Sequence, residues 1–109
     1  MTWQQTIQQI VKLYPGVVPE GACVPFAYYG EDSVAVLTTD GIAGAEGTLT
    51  LTVVAKTKDA ADNLADKVVA TLNGNTFDNT DFYVASRDYI AYPEQGVAGI
   101  ELIFNTLTT

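Results

Sequence analysis

Apolar side chains recur across residues 2–14 at Trp3, Ile7, Ile10, Val11 and Tyr14. That spacing lies on one face of a 3.6-residue helix, with Gln5, Gln8, Gln9 and Lys12 opposite, so it predicts a helix over 2–14. Pro15-Gly16 ends it, because proline disfavours helical dihedrals in the residue before it. A loop over 17–24, carrying Pro19 and Gly21, follows. Residues 25–29 then read as a strand with Pro25 at its first position, where a missing N–H is tolerated. Residues 33–37 form a second short extended segment, and Glu31-Asp32 beside Gly30 read as a turn between the two.

Strict alternation begins at residue 48. Leu49, Leu51, Val53 and Ala55 face one way, against Thr48, Thr50, Thr52 and Val54, the period of a strand with one buried face. Before it, residues 38–47 hold Gly41, Gly44 and Gly47, which predict a flexible loop or the tip of a long hairpin. Behind it, Thr57 can cap a helix over 58–72 whose stripe is Ala61, Leu64, Ala65, Val68 and Leu72. Asn73-Gly74 ends that helix, glycine suiting the left-handed position. Residues 81–92 are rich in β-formers, and 97–108 set Ile100, Leu102 and Phe104 against Glu101, Ile103 and Asn105. With the turn Pro93-Glu94-Gln95-Gly96 between them, they predict an antiparallel hairpin. The expected fold is α+β: a mostly antiparallel sheet of about four to five strands with two amphipathic helices on one face, and residues 1–109 forming a single assembly domain.

Charge and chemistry narrow the function. Charged residues make up only 17% of the chain, below the usual quarter, and the formal charge is −8 from thirteen acids and five bases. Phosphate backbones are held by Lys and Arg, so sequence-specific nucleic-acid binding is not expected, and anionic membranes repel the chain. No apolar run approaches the roughly 20 residues that span a bilayer. Nothing at the N-terminus reads as a secretory signal. There is no histidine, so no His-dependent triad, general base or metal ligand exists, and the single Cys23 can form neither an internal disulfide nor a Cys-rich zinc site. That cysteine usage fits a reducing compartment. No catalytic, cofactor or metal site is assigned, and the chain is not expected to be an enzyme.

Asp59, Asp62 and Asp66 share a helix face and read as solvated acids, those near the helix start favoured by its dipole. Asp78-Asn79-Thr80-Asp81 lacks the alternating ligands of a calcium loop and reads as a turn. Cys23 has no cation near it in sequence and is expected to be a half-buried structural thiol. Tyr28, Tyr29, Tyr83, Tyr89 and Tyr92 fall on strands, where they serve either cross-strand packing or an interface.

The layout resembles the tail-completion (tail-terminator) proteins of long-tailed bacteriophages. The matching pieces are an N-terminal helix ending in Leu13-Tyr14-Pro15-Gly16, the Pro-led strand Val24-Pro25-Phe26-Ala27-Tyr28-Tyr29, a glycine-bearing loop with Thr39-Asp40-Gly41, a long strand running into an Ala-rich helix, and a closing hairpin. The resemblance implies a virion structural protein assembled in the bacterial host cytoplasm. It implies a ring, usually of six copies, capping the tail tube and contacting tube and head-tail connector proteins, while DNA passes through without specific binding. It implies no cofactor and no membrane partner. The assembly contact is expected at Thr39, Asp40, Gly41 and Ile42. Two other readings remain: another neck, tail-tube or capsid-accessory protein, and a small-molecule-binding regulatory module with residues 40–47 as its clamp.

Overall fold

The alternation that begins at residue 48 belongs to the central strand of a six-stranded sheet. The computed structural model describes residues 2–38, 41–92 and 96–108; for 33–38, 41–43 and 92 it describes the backbone only. In chain order the elements are α1 (Trp3–Gln8), β1 (Lys12–Pro15), β2 (Phe26–Thr38), β3 (Gly41–Ala55), α2 (Lys58–Leu72), β4 (Thr76–Phe77), β5 (Thr80–Tyr92) and β6 (Val97–Thr108). The sheet order is β1-β2-β3-β6-β5-β4, with β1 parallel to β2 and every other pair antiparallel. The α+β class holds, with more strands than the four or five expected.

Leu49, Leu51, Val53 and Ala55 of β3 are buried with Ile100, Leu102 and Phe104 of β6. Register puts Leu49 beside Phe104 and Leu51 beside Leu102, so the two alternations lie on one face. α2 packs on β3 and β6 through Ala61, Ala65, Val68 and Leu72, all fully buried. The two alanines let the helix axis come close to the sheet, and each large side chain buried here stabilises by about 1.5–3 kcal/mol relative to exposure. The boundaries of α2 agree with the sequence reading. Thr57 Oγ1 accepts from the Ala60 N–H at 3.1 Å, and Gly74 takes the left-handed φ of +75° just past the end.

The N-terminal helix is the main correction. α1 is six residues long, and Lys12–Pro15 form a strand instead of its last turn. Thr2 and Gln5 make a reciprocal capping box at its start. At its end the Gln8 side chain accepts from the Leu13 N–H at 3.0 Å and donates to the Leu13 carbonyl at 2.8 Å. That amide satisfies both backbone groups of a residue leaving the helix, and the chain turns to pair with Phe26–Tyr29 of β2. Leu13, which the helical stripe left out, is then buried, while Trp3 and Ile7 still anchor α1 in the core. The Trp3 ring meets Tyr29 edge-on at 4.8 Å. Of the two helices, only α2 therefore forms a substantial layer.

Gly30, Glu31 and Asp32 are a second correction. They form no turn, because β2 runs unbroken through them, paired with Thr50, Leu49 and Thr48. The register carries both carboxylates as exposed strand residues on opposite faces. The turn at Asp78-Asn79 is as expected: both residues have positive φ, 49° and 64°, in a two-residue hairpin between β4 and β5.

Candidate assembly surface

The sheet has one covered face and one largely bare face. Cross-strand partners share a face, so Thr48, Thr50, Thr52 and Val54 of β3 lie with Asn105, Ile103, Glu101 and Gly99 of β6 on the side away from α2. Across β5 the rows continue to Tyr83, Ser86, Asp88 and Ile90, and across β2 to Asp32, Gly30, Tyr28 and Phe26. A bulge between Val84 and Ser86 makes this possible. Ahead of it Phe82 lies on the helix-covered face and is buried, and beyond it the odd residues Arg87 and Tyr89 take that face, both exposed, a change of parity that composition does not signal.

Charge is segregated between the faces. Among the described residues the bare face carries Asp32, Glu46, Asp81, Asp88 and Glu101 against Lys12. Lys58, Lys67 and Arg87 lie on the helix side with Glu31, Asp59, Asp62 and Asp66, and Lys56 is exposed in the connection between β3 and α2. Arg87 reaches from β5 to α2, donating to Asp66 at 2.7 Å and to Asp62 at 3.1 Å, while Lys58 bonds Asp62 at 2.9 Å. The Lys58 and then the Arg87 hydrogen bonds hold the Asp62 carboxyl below its ordinary range, and Asp66 raises Arg87 further. Two of the three aspartates read as solvated acids thus form a tie between helix and sheet.

At one end of the bare face the segment 16–25 folds over the sheet. Val18, Pro19, Ala22 and Val24 border an apolar cleft floored by Phe26 and Val54, which leaves Val54 buried. Cys23 lies in this segment and is exposed, which corrects the half-buried placement expected for it. Segment 16–25 has no strand or helix to draw its thiol inward. At the other end a shallow groove is open between Asp32, Thr48, Tyr83, Asn105 and Leu107, with Tyr83 51% exposed.

The tyrosines divide accordingly. Tyr29 belongs to the core margin, Tyr28 and Tyr83 to the bare face, and Tyr89, half exposed, lies under the Lys58 ammonium at 5.5 Å. The Tyr92 side chain is outside the described residues.

Among the described residues, two borders of the sheet are open. β1 covers β2 only as far as Tyr29, and β4 covers β5 only at Thr80 and Asp81. The Phe82 backbone is met by Gly74 and Asn75, and the Val84 N–H by the Asn73 side chain. Beyond Gly44, among the described residues, β2 and β3 pair only with each other, Thr108 being the last described residue of β6, opposite Ala45. This two-stranded ribbon adds to the 52 Å length of a molecule 22 Å across.

The predicted contact residues lie at its tip. Gly41 pairs with Thr38 and Ile42 with Leu37, whereas Thr39, Asp40 and the Ile42 side chain fall outside the described residues. Residues 41–47 are strand, so a clamp loop around a small molecule is not present there.

Residues 4–109 match the family model described as tail completion protein gp17. The chain belongs to this family. A chain in the virion of a native gene transfer agent (GTA) particle shares the fold, with a TM-score of 0.73 and 16% identity over 93% of this chain and 82% of that chain. No curated protein sequence matches. The protein is therefore a phage tail or neck structural protein that associates with other tail and neck proteins.

Proposed function

We propose that this tail completion protein closes into a ring, of six copies, on the head-proximal end of the tail tube, stopping its growth and joining it to the head connector. The charge segregation carries the reading. A bare face with five named carboxylates and one lysine is suited to line a DNA conduit, since it offers the phosphates almost no cation to release counterions against. The helix side, where cations and carboxylates are mixed, faces outward, and the protein works by contact rather than catalysis. The ribbon tip, with Thr39, Asp40, Gly41 and Ile42, contacts the tube or the neighbouring subunit.

The test is to add purified protein to polymerising tail tubes and image the ends by electron microscopy. Rings at one end and arrested growth are expected; a chain that stays monomeric by light scattering with tube present removes the reading. The paired change Glu101→Lys and Asn105→Lys, both on the interior strand β6, should leave ring formation intact and create salt-sensitive binding of duplex DNA, which the unaltered protein lacks. Ile42→Asp should weaken capping while thermal stability stays unchanged.

A further inference from the structure

The two open borders of the sheet are complementary. Among the described residues, β2 has no neighbouring strand on its outer side from Glu31 to the ribbon, and β5 has none on its own from Ser86 onward. Strand direction alternates across β2, β3, β6 and β5, so β2 and β5 run opposite ways. A second copy in the same orientation would thus set its β5 antiparallel beside β2 of the first, continuing the alternation without a break.

We infer that copies of this chain join edge to edge, the outer edge of β2 from residue 31 onward pairing antiparallel with the outer edge of β5, residues 86–92, of the next copy. The inference rests on the ring reading and adds how the ring is held. The borders are different surfaces of one molecule, so the contact is head to tail and can close on itself. The open stretches lie at opposite ends of the sheet, so neighbours pair with an offset along the strands, as the tilted strands of a closed barrel do. Closure removes the exposed edges, which otherwise template irregular association. Neither stretch holds a proline or lysine, the residues that commonly block edges.

Backbone parity supplies the test. The Tyr29 carbonyl points outward, accepting from the Gly16 N–H at 2.8 Å, so alternate residues 31, 33 and 35 also present their backbone outward, while Asp32 bonds to β3. Across the bulge, the outward positions of β5 are 87, 89 and 91.

Ser33→Pro and Ala91→Pro each remove an outward N–H and should fold with an unchanged melting temperature. Each should raise the concentration at which rings form by about tenfold or more, through a lost hydrogen bond and the bulk of the proline ring. Asp32→Pro breaks the internal ladder and should lower the melting temperature instead. In the unaltered protein the amides of 31, 33 and 35 should become protected from hydrogen exchange on assembly. If the unaltered protein forms rings, both outward variants form them equally well and those amides stay unprotected, edge pairing is overturned and the ring stands. If the unaltered protein never assembles with tube present, the ring reading fails and this inference with it. Should an outward variant misfold, the exchange pattern alone decides.

Discussion

The two faces of β3 use the same backbone for opposite ends. On one, Leu49, Leu51 and Val53 are fully buried under α2 among Ile100, Leu102 and Phe104. On the other, Thr48 and Thr50 sit among Asn105 and Ile103 with no helix over them. Thr52 is buried even so, lying between its partners Tyr28 and Glu101. The covered face supplies the burial that offsets chain entropy. The bare face is thereby released from that duty and can carry acids, hydroxyls and an exposed tyrosine.

The largest expected effect pits neighbours in β6 against each other. Phe104→Ala removes a fully buried ring and should cost about 3–5 kcal/mol, whereas Asn105→Ala, on the bare face, should stay within about 0.5 kcal/mol. Urea titration of the two variants checks this, and similar losses would mean the faces are not distinct in stability. Next comes the layer that makes the covered face. Thr57→Ala unpairs the Ala60 N–H at the start of α2 and should cost about 1 kcal/mol, with Thr57→Ser recovering most of it.

A smaller effect is expected from Arg87→Ala, which unties β5 from α2 but leaves Lys58 on Asp62. The sign with pH follows from Asp62. Its folded carboxyl is depressed, so its stabilisation is present above the ordinary carboxylate range and is lost as acid protonates it. Melting curves from neutral pH downward should therefore separate unaltered protein and variant at neutral pH and converge in acid. A constant gap would detach Arg87 from that titration. The smallest change sharpens the other face. Ser86 Oγ is buried beside the bulge without a hydrogen-bond partner, so Ser86→Ala should leave stability unchanged or slightly raised. A clear loss by calorimetry would show that the hydroxyl is paired.

Part of the bare face was legible beforehand. The alternation in 97–108 already set Glu101, Ile103 and Asn105 on a face apart from the core. It could not reveal that Asp32, Glu46, Asp81 and Asp88 join them, because that depends on register with three other strands. Arg87 and Tyr89 would have been given the wrong face by simple alternation from Phe82, since one extra residue at the bulge reverses the parity. The expected half-buried Cys23 failed for a related reason: burial of an irregular segment depends on what it lies across.

What the sequence determined by itself is local. Thr57, the stripe from Ala61 to Leu72 and Gly74 define α2 to the residue, strict alternation defines the buried side of β3, and β-forming runs on either side of a turn define the β5–β6 pair. The absence of histidine removed His-based chemistry without any coordinates. Tertiary structure decided the rest. Residues 12–14 continue the helical pattern, yet a strand edge on β2 offered them hydrogen bonds and buried Leu13, outweighing a few tenths of a kcal/mol of local propensity per residue. Gly30-Glu31-Asp32 carries turn composition, yet both flanking segments pair with one continuous β3, which holds it extended. Periodicity reports what a segment can bury, and only the assembled sheet settles which partner it is buried against.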